Sequence, residues 1–198
     1  MNNLNKILAA IVFVFSLVVF IMAMAPTTSF WDCGEFIATS VIMGVPHPPG
    51  TPFFLLLGNF FSQLPTFADT GARVNLISPI FSAFAVMFLY LIIVQLIEEW
   101  HGKAKTWPDF LITYGSAIIG ALTFAFTDSH WFNAVEAEVY SISTFFTSIV
   151  VWLILKWSTN SGHAGNVRYI LIIAYMFGLA IGIHLLNLLA LPFIALIV

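Results

Sequence analysis

Charged positions are sparse along this chain, and the uncharged apolar runs between them set its architecture. Runs at 7–25, 74–97, 110–127 and 139–155 are each long enough to cross about 30 Å of hydrocarbon as a helix. A further uncharged tract, 169–198, would extend about 45 Å as a helix, too long for one upright span. His184, Asn187 and Pro192 fall in its second half. The pattern therefore predicts a span over 169–186, a break, and the start of a sixth span at 188–198. The chain stops inside that apolar run with no polar tail, as a truncated sequence would. The 51–64 run is shorter than a span and predicts a re-entrant helix inside a long loop, 26–73. Ala23-Met24-Ala25 looks like a signal-cleavage site. The preceding apolar run is too long for a signal, however, only Lys6 precedes it, and Pro26 would follow the cut, so 7–25 is read as a retained anchor.

Basic residues orient these spans. If 51–64 does not cross, Lys6, Lys103, Lys105, Lys156 and Arg168 share one face and Arg73 stands alone opposite. If it does cross, the basic residues split two against four. The asymmetric arrangement is expected, with the N-terminus cytoplasmic. Asp32, Glu35, Asp69, Asp128, Glu136 and Glu138 then lie on the extracytoplasmic side. All tryptophans except Trp152 flank span ends, as interfacial anchors do. The Glu98–Lys103 segment reads as a solvated cytoplasmic loop.

Composition agrees. Of 198 residues, 61% are apolar and 8% charged, and mean hydropathy is +1.02, too little polar surface to cover a water-facing globule. The expected fold class is all-α, a polytopic membrane protein made of a helical bundle. The net charge of −3 argues against a basic nucleic-acid binder. A single cysteine, Cys33, excludes a disulfide framework within the chain and a Cys-based zinc cluster. No internal repeat, low-complexity tract, Gly-rich phosphate loop or nucleotide fold is apparent, so a nucleotide-sugar donor is not expected.

Candidate chemistry concentrates in the first external loop. Asp32, Glu35 and Thr39 are spaced to share one face of a short helix lying along the membrane surface, with Ile37 and Val41 on another. The same Asp32/Glu35 spacing also fits a capping box, in which both acids serve only the first helical N–H groups. Like charges one helical turn apart are expected to raise the pKa of one of the two. His47-Pro48-Pro49-Gly50 is a rigid turn, suited either to a site wall or to ending a loop.

The run Asp32-x-Gly34-Glu35-Phe36, then Gly44-Val45-x-His47-Pro48-Pro49-Gly50-x-Pro52, resembles the start of a family of multi-pass bacterial membrane proteins. That family, long known as domain-of-unknown-function family 2723, is grouped with the protein O-mannosyltransferases in the GT-C class of glycosyltransferases. Arg73-x-Asn75, the stretch from Trp131 to Glu138-Val139-Tyr140, and Gly178-x-x-x-Gly182-x-His184-Leu185-Leu186-Asn187 extend the resemblance in order along the chain. Thr51 stands where the family often has an aromatic. Family members are longer, often with a soluble C-terminal part.

The resemblance implies a GT-C-like bundle that transfers a sugar from a polyprenyl-phosphate donor to a protein or lipid hydroxyl on the extracytoplasmic face, in the bacterial inner membrane. It makes Asp32 the general base, with Glu35 as its partner or substitute. Arg73 and His184 become candidates for the lipid phosphate, with His47 in the site wall and Asn187 beside His184. Arg73 equally suits the polar end of a span, and His184 an interhelical hydrogen bond. The Gly178/Gly182 pair suits close helix packing. Glu136, Glu138 and Tyr140 form a second external patch. No cofactor is fixed by the resemblance, and O-mannosyltransferases are regarded as metal-independent. Asp32 with Glu138 or Glu136 would nonetheless make an oxygen-rich site for Mg²⁺ or Mn²⁺. A rival reading is a transporter or flippase of lipid-linked sugars, supported by His184 in a Gly-broken span and by the re-entrant segment; another is a non-catalytic membrane scaffold.

Overall fold

The computed structural model describes residues 3–159 and 166–190. Among these residues every regular element is helical. The elements are α1 (Asn3–Ala23), α2 (Cys33–Ile42), α3 (Pro52–Ser62), α4 (Thr70–Asn75), α5 (Ile77–His101), α6 (Trp107–Phe110), α7 (Ser116–Ala125), α8 (Asp128–Ala134), α9 (Val139–Thr159) and α10 (Val167–Ile181). A single π-turn, Leu111–Gly115, joins α6 to α7, and a 3₁₀ turn, Leu185–Ala190, follows α10.

Four stretches are long and apolar enough to cross a membrane: Asn3–Ala23, Thr70–His101, Trp107–Ala125 and Val139–Thr159. They coincide with the runs at 7–25, 74–97, 110–127 and 139–155. The fifth expected span, 169–186, corresponds to the 15-residue α10, which ends at Ile181 before Gly182. Of the sixth, 188–198, residues 191–198 lie outside the described residues. The short helix α8 falls in a segment that the apolar pattern left as loop.

Three apolar clusters hold the described helices, a small one between α9 and α10 and two larger ones. In one of the larger, Val86, Tyr90 and Val94 of α5 pack against Val12 and Phe20 of α1 and the small residues Ala117, Ala121 and Ala125 of α7. The alanines let α7 approach α5 closely. In the other, Phe36 and Ile37 of α2 and Phe54 of α3 pack onto Ile77 at the start of α5, Ile142 and Phe146 of α9, and Ile183. The segment between α1 and α5 is therefore a folded cap seated on the ends of α5 and α9. Gly58 is required there, since a Cβ at this position would overlap the Ser40 side chain as α3 presses on α2. Pro52 opens α3 at a position where its missing N–H costs nothing. The 11 residues of α3 rise about 16 Å, half a bilayer core.

Candidate active site

Asp32 occupies the N-cap position of α2, but the expected capping box does not form. Its backbone is helical (φ −81°, ψ −5°) and its side chain makes no capping hydrogen bond. A capping box does form elsewhere, between Thr106 and Asp109 at the start of α6. At α2, Glu35 is drawn away to the His47-Pro48-Pro49-Gly50 turn. Its carboxylate accepts from the His47 backbone N–H at 2.7 Å and from His47 Nδ1–H at 2.8 Å. Such charge-assisted bonds outweigh a bond to a helix N–H that water can satisfy.

His47 thereby sits between two acids, with Nε2 4.0 Å from Asp32 Oδ2 and its ring tilted against the buried Phe36. One ligand atom each from Asp32, Glu35 and His47 lie within 4.8 Å of one another. The hydrogen bond to Glu35 lifts the His47 pKa above the ordinary histidine range and lowers that of Glu35. The backbone around them is unusual. Trp31, directly before Asp32, is left-handed (φ 55°), as are Gly50 (φ 89°) and Thr51 (φ 34°) after the turn. Such conformations in non-glycine residues gather at functional sites.

The second acidic segment meets the first. Glu136 and Glu138, 5% and 6% exposed, lie on the loop between α8 and α9. Burial, then the charges of Asp32 and Glu136, push the Glu138 carboxyl up to about 7. Asn75 holds the two segments together. Fully buried, its Nδ2 donates to the carbonyls of Ala25 and Thr27 at 2.9 and 2.8 Å. Its Oδ1 accepts from the Ala137 backbone N–H at 3.0 Å and from Cys33 Sγ at 3.6 Å. Ala137 separates the two glutamates and Cys33 follows Asp32, so one amide fixes both acid-bearing segments.

The family model for the N-terminal domain of the protein O-mannosyl-transferase TMEM260 matches residues 32–198. The chain belongs to this family. It is 27% identical over 197 residues to the protein O-mannosyl-transferase tmem260 of Dictyostelium discoideum, covering 92% of this chain and 22% of that protein. It is 27% identical over 150 residues to the protein O-mannosyl-transferase TMEM260 of Mus musculus, covering 76% and 19%. The chain thus spans about a fifth of the length of these curated relatives. No solved structure matches it.

Arg73, Asn187 and His184 have partners other than Asp32 and His47. The Arg73 guanidinium donates to three loop carbonyls, those of Phe67 (2.6 Å), Ser62 (3.2 Å) and Ala68 (3.3 Å), and so closes the turn between α3 and α4. Asn187 accepts from Ser143 (2.9 Å) and Thr147 (3.2 Å) and donates to the carbonyls of Ala180 and His184, tying the 3₁₀ turn to α9. The His184 ring lies against Tyr140, with centroids 5.3 Å apart, near the start of α9. Tyr140 therefore points toward His184.

His130 was not singled out from the sequence, because one histidine among aromatics carries no spacing signal. On α8 it is 6% exposed, packed on Phe20 and Phe124, and its pKa is lowered by burial to about 4. Unfolding returns it to about 6.5. Its contribution is therefore complete above pH 6.5 and is lost as pH falls from there through 4. By linkage this amounts to about 3 kcal/mol. Thermal melts of wild-type and His130→Gln protein in detergent should show a drop for wild-type between pH 7 and 4 that the variant lacks.

Proposed function

We propose that this chain is the N-terminal part of a multi-pass GT-C-type glycosyltransferase that moves mannose from a polyprenyl-phosphate carrier to a protein hydroxyl on the extracytoplasmic face. The observation that carries this reading is the convergence of Asp32, His47, Glu35 and Glu138 at one end of the spans, in a domain whose relatives are named protein O-mannosyl-transferases. A lipid-borne phosphate would be presented at that membrane surface. The distribution of basic residues supports a cytoplasmic N-terminus, and the bacterial resemblance supports the inner membrane.

Asp32 is the base. Its carboxylate takes the acceptor hydroxyl proton as that oxygen attacks the anomeric carbon, and the carbon–oxygen bond to phosphate breaks with the electron pair leaving on phosphate. Glu35 works through His47, holding the ring at two points so that the wall beside Asp32 is rigid. His184 and Tyr140, ring against ring at the start of α9, are the candidates for contact with the donor. Arg73, spent on carbonyls, supports the loop fold. Transport would place polar groups near the bilayer midplane, whereas this acidic cluster lies at span ends.

Comparative glycan mass spectrometry tests the reading. Cells lacking the full-length gene should lose a hexose from a defined set of extracytoplasmic proteins and regain it with the wild-type gene. An unchanged protein glycan profile would remove the transferase assignment.

A further inference from the structure

We propose that the turn between α5 and α6 binds the headgroup of an anionic phospholipid, whose phosphate is held by Lys103 and Lys105.

The shape of the turn is the first support. Gly102 ends α5 with a positive φ of 82°, and a pocket of about 230 Å³ opens against it. His101, Lys103 and Lys105 line this pocket together with Ile112 and Thr113 of the π-turn. It lies at the far end of α5 from Ile77, on which the cap packs, about 36 Å along the helix. The site is therefore separate from the Asp32–His47 cluster, and it does not depend on the transferase reading.

Charge is the second. Among the described residues both ion pairs are made by His47, so neither lysine is paired. The acid in the lining, Asp109, is turned onto the backbone, where Oδ2 accepts from the Lys105 and Thr106 N–H groups at 3.1 and 2.9 Å. Of the acids just before the turn, Glu99 accepts from Gln95 and Glu98 lines a separate small cavity with Lys156. Two ammonium groups against one carboxylate that is already bonded leave one positive charge, which suits a singly charged phosphodiester.

Position selects a lipid over a free anion. The turn joins two stretches long and apolar enough to cross a membrane, Thr70–His101 and Trp107–Ala125, which puts it at the depth of the headgroups. Trp100 and Trp107, 87% and 73% exposed, flank it as interfacial indoles do. Below it the second of these stretches exposes Leu111, Ile112 and Ile119, on which acyl chains can lie. A free phosphate would use the lysines and leave that surface bare. A phosphatidylcholine headgroup would bring a further cation to the lysines.

The test is native mass spectrometry of the full-length protein, stripped of lipid in detergent and offered dioleoyl phosphatidylglycerol and dioleoyl phosphatidylcholine in equal amounts. Wild type should retain phosphatidylglycerol in preference, and one molecule more of it than the Lys103→Gln/Lys105→Gln double variant. Each single substitution should weaken binding at this site about fivefold, and the two together about 30-fold. Lys6→Gln, which removes an exposed lysine of α1 outside the pocket, should leave retention unchanged. Lipid-free wild type and double variant should melt together, because the lysines make no ion pair, and phosphatidylglycerol should raise the wild-type Tm further than the variant's. Equal retention of the two lipids, or equal phosphatidylglycerol on wild type and double variant, overturns the proposal. So does a loss in Lys6→Gln as large as in the pocket variants, which would mean diffuse attraction. Displacement of the lipid by millimolar glycerol phosphate would make this a free-anion site and overturn the lipid assignment.

Discussion

Asp32→Asn in the full-length protein is expected to lower mannose transfer by about 10²–10⁴-fold, the contribution of a positioned general base. Asparagine keeps the shape of the side chain and loses its basicity. The Asp32 side chain is 57% exposed and makes no capping bond, so the fold does not lean on it. The variant should reach the membrane at wild-type levels and melt within about 0.5 kcal/mol of wild type. The loss should fall on kcat, with KM for the lipid donor changing little, because the acid acts on the acceptor proton. Normal transfer at normal protein levels would remove Asp32 as the base and make Glu138 the next residue to test. Glu35→Gln should cost less, since Glu35 acts through His47.

The four long apolar helices were legible because hydrocarbon imposes a length and an apolar composition that few other constraints produce. The break in the last apolar tract was legible from its polar residues, although the helix stops earlier, at Ile181. The capping-box reading failed for a reason that spacing cannot show. The competitor for Glu35 is His47, 12 residues away, and only the α2–α3 fold brings it within reach. Arg73 looked available because it was expected to be the lone external cation, but it is bound to carbonyls at the end of α3 and in the turn just before it. The pairing of Asp32 with Glu138 came from the resemblance and not from spacing; what spacing could not show is the Asn75 bond to the Ala137 N–H that ties their two segments together. Asn75 stood in a matching motif with no role, since its partners are contributed by three separate segments.

Asn75→Ala should have the largest effect on stability. It removes the hydrogen-bond partner of the Ala25 and Thr27 carbonyls and of the Ala137 N–H at a residue with no solvent exposure. Each buried group left unsatisfied costs about 1–3 kcal/mol, and because such costs are not additive the expected total is about 3–5 kcal/mol. That is a large share of the 5–15 kcal/mol by which domains are typically stable. Chemical denaturation in detergent measures it, with Ser78→Ala as the control. The Ser78–Ser141 bond joins α5 to α9 nearby at 3.1 Å, and its loss should cost only about 1 kcal/mol and spare transfer. If Asn75 acts only on stability, osmolyte that refolds Asn75→Ala will restore kcat in full. If it also positions Asp32 against Glu138, the refolded variant will keep its KM and still turn over slowly, because the loop holding Ala137 has lost its anchor. The second outcome is expected, since the same amide that satisfies the buried backbone also sets the spacing between the two acidic segments.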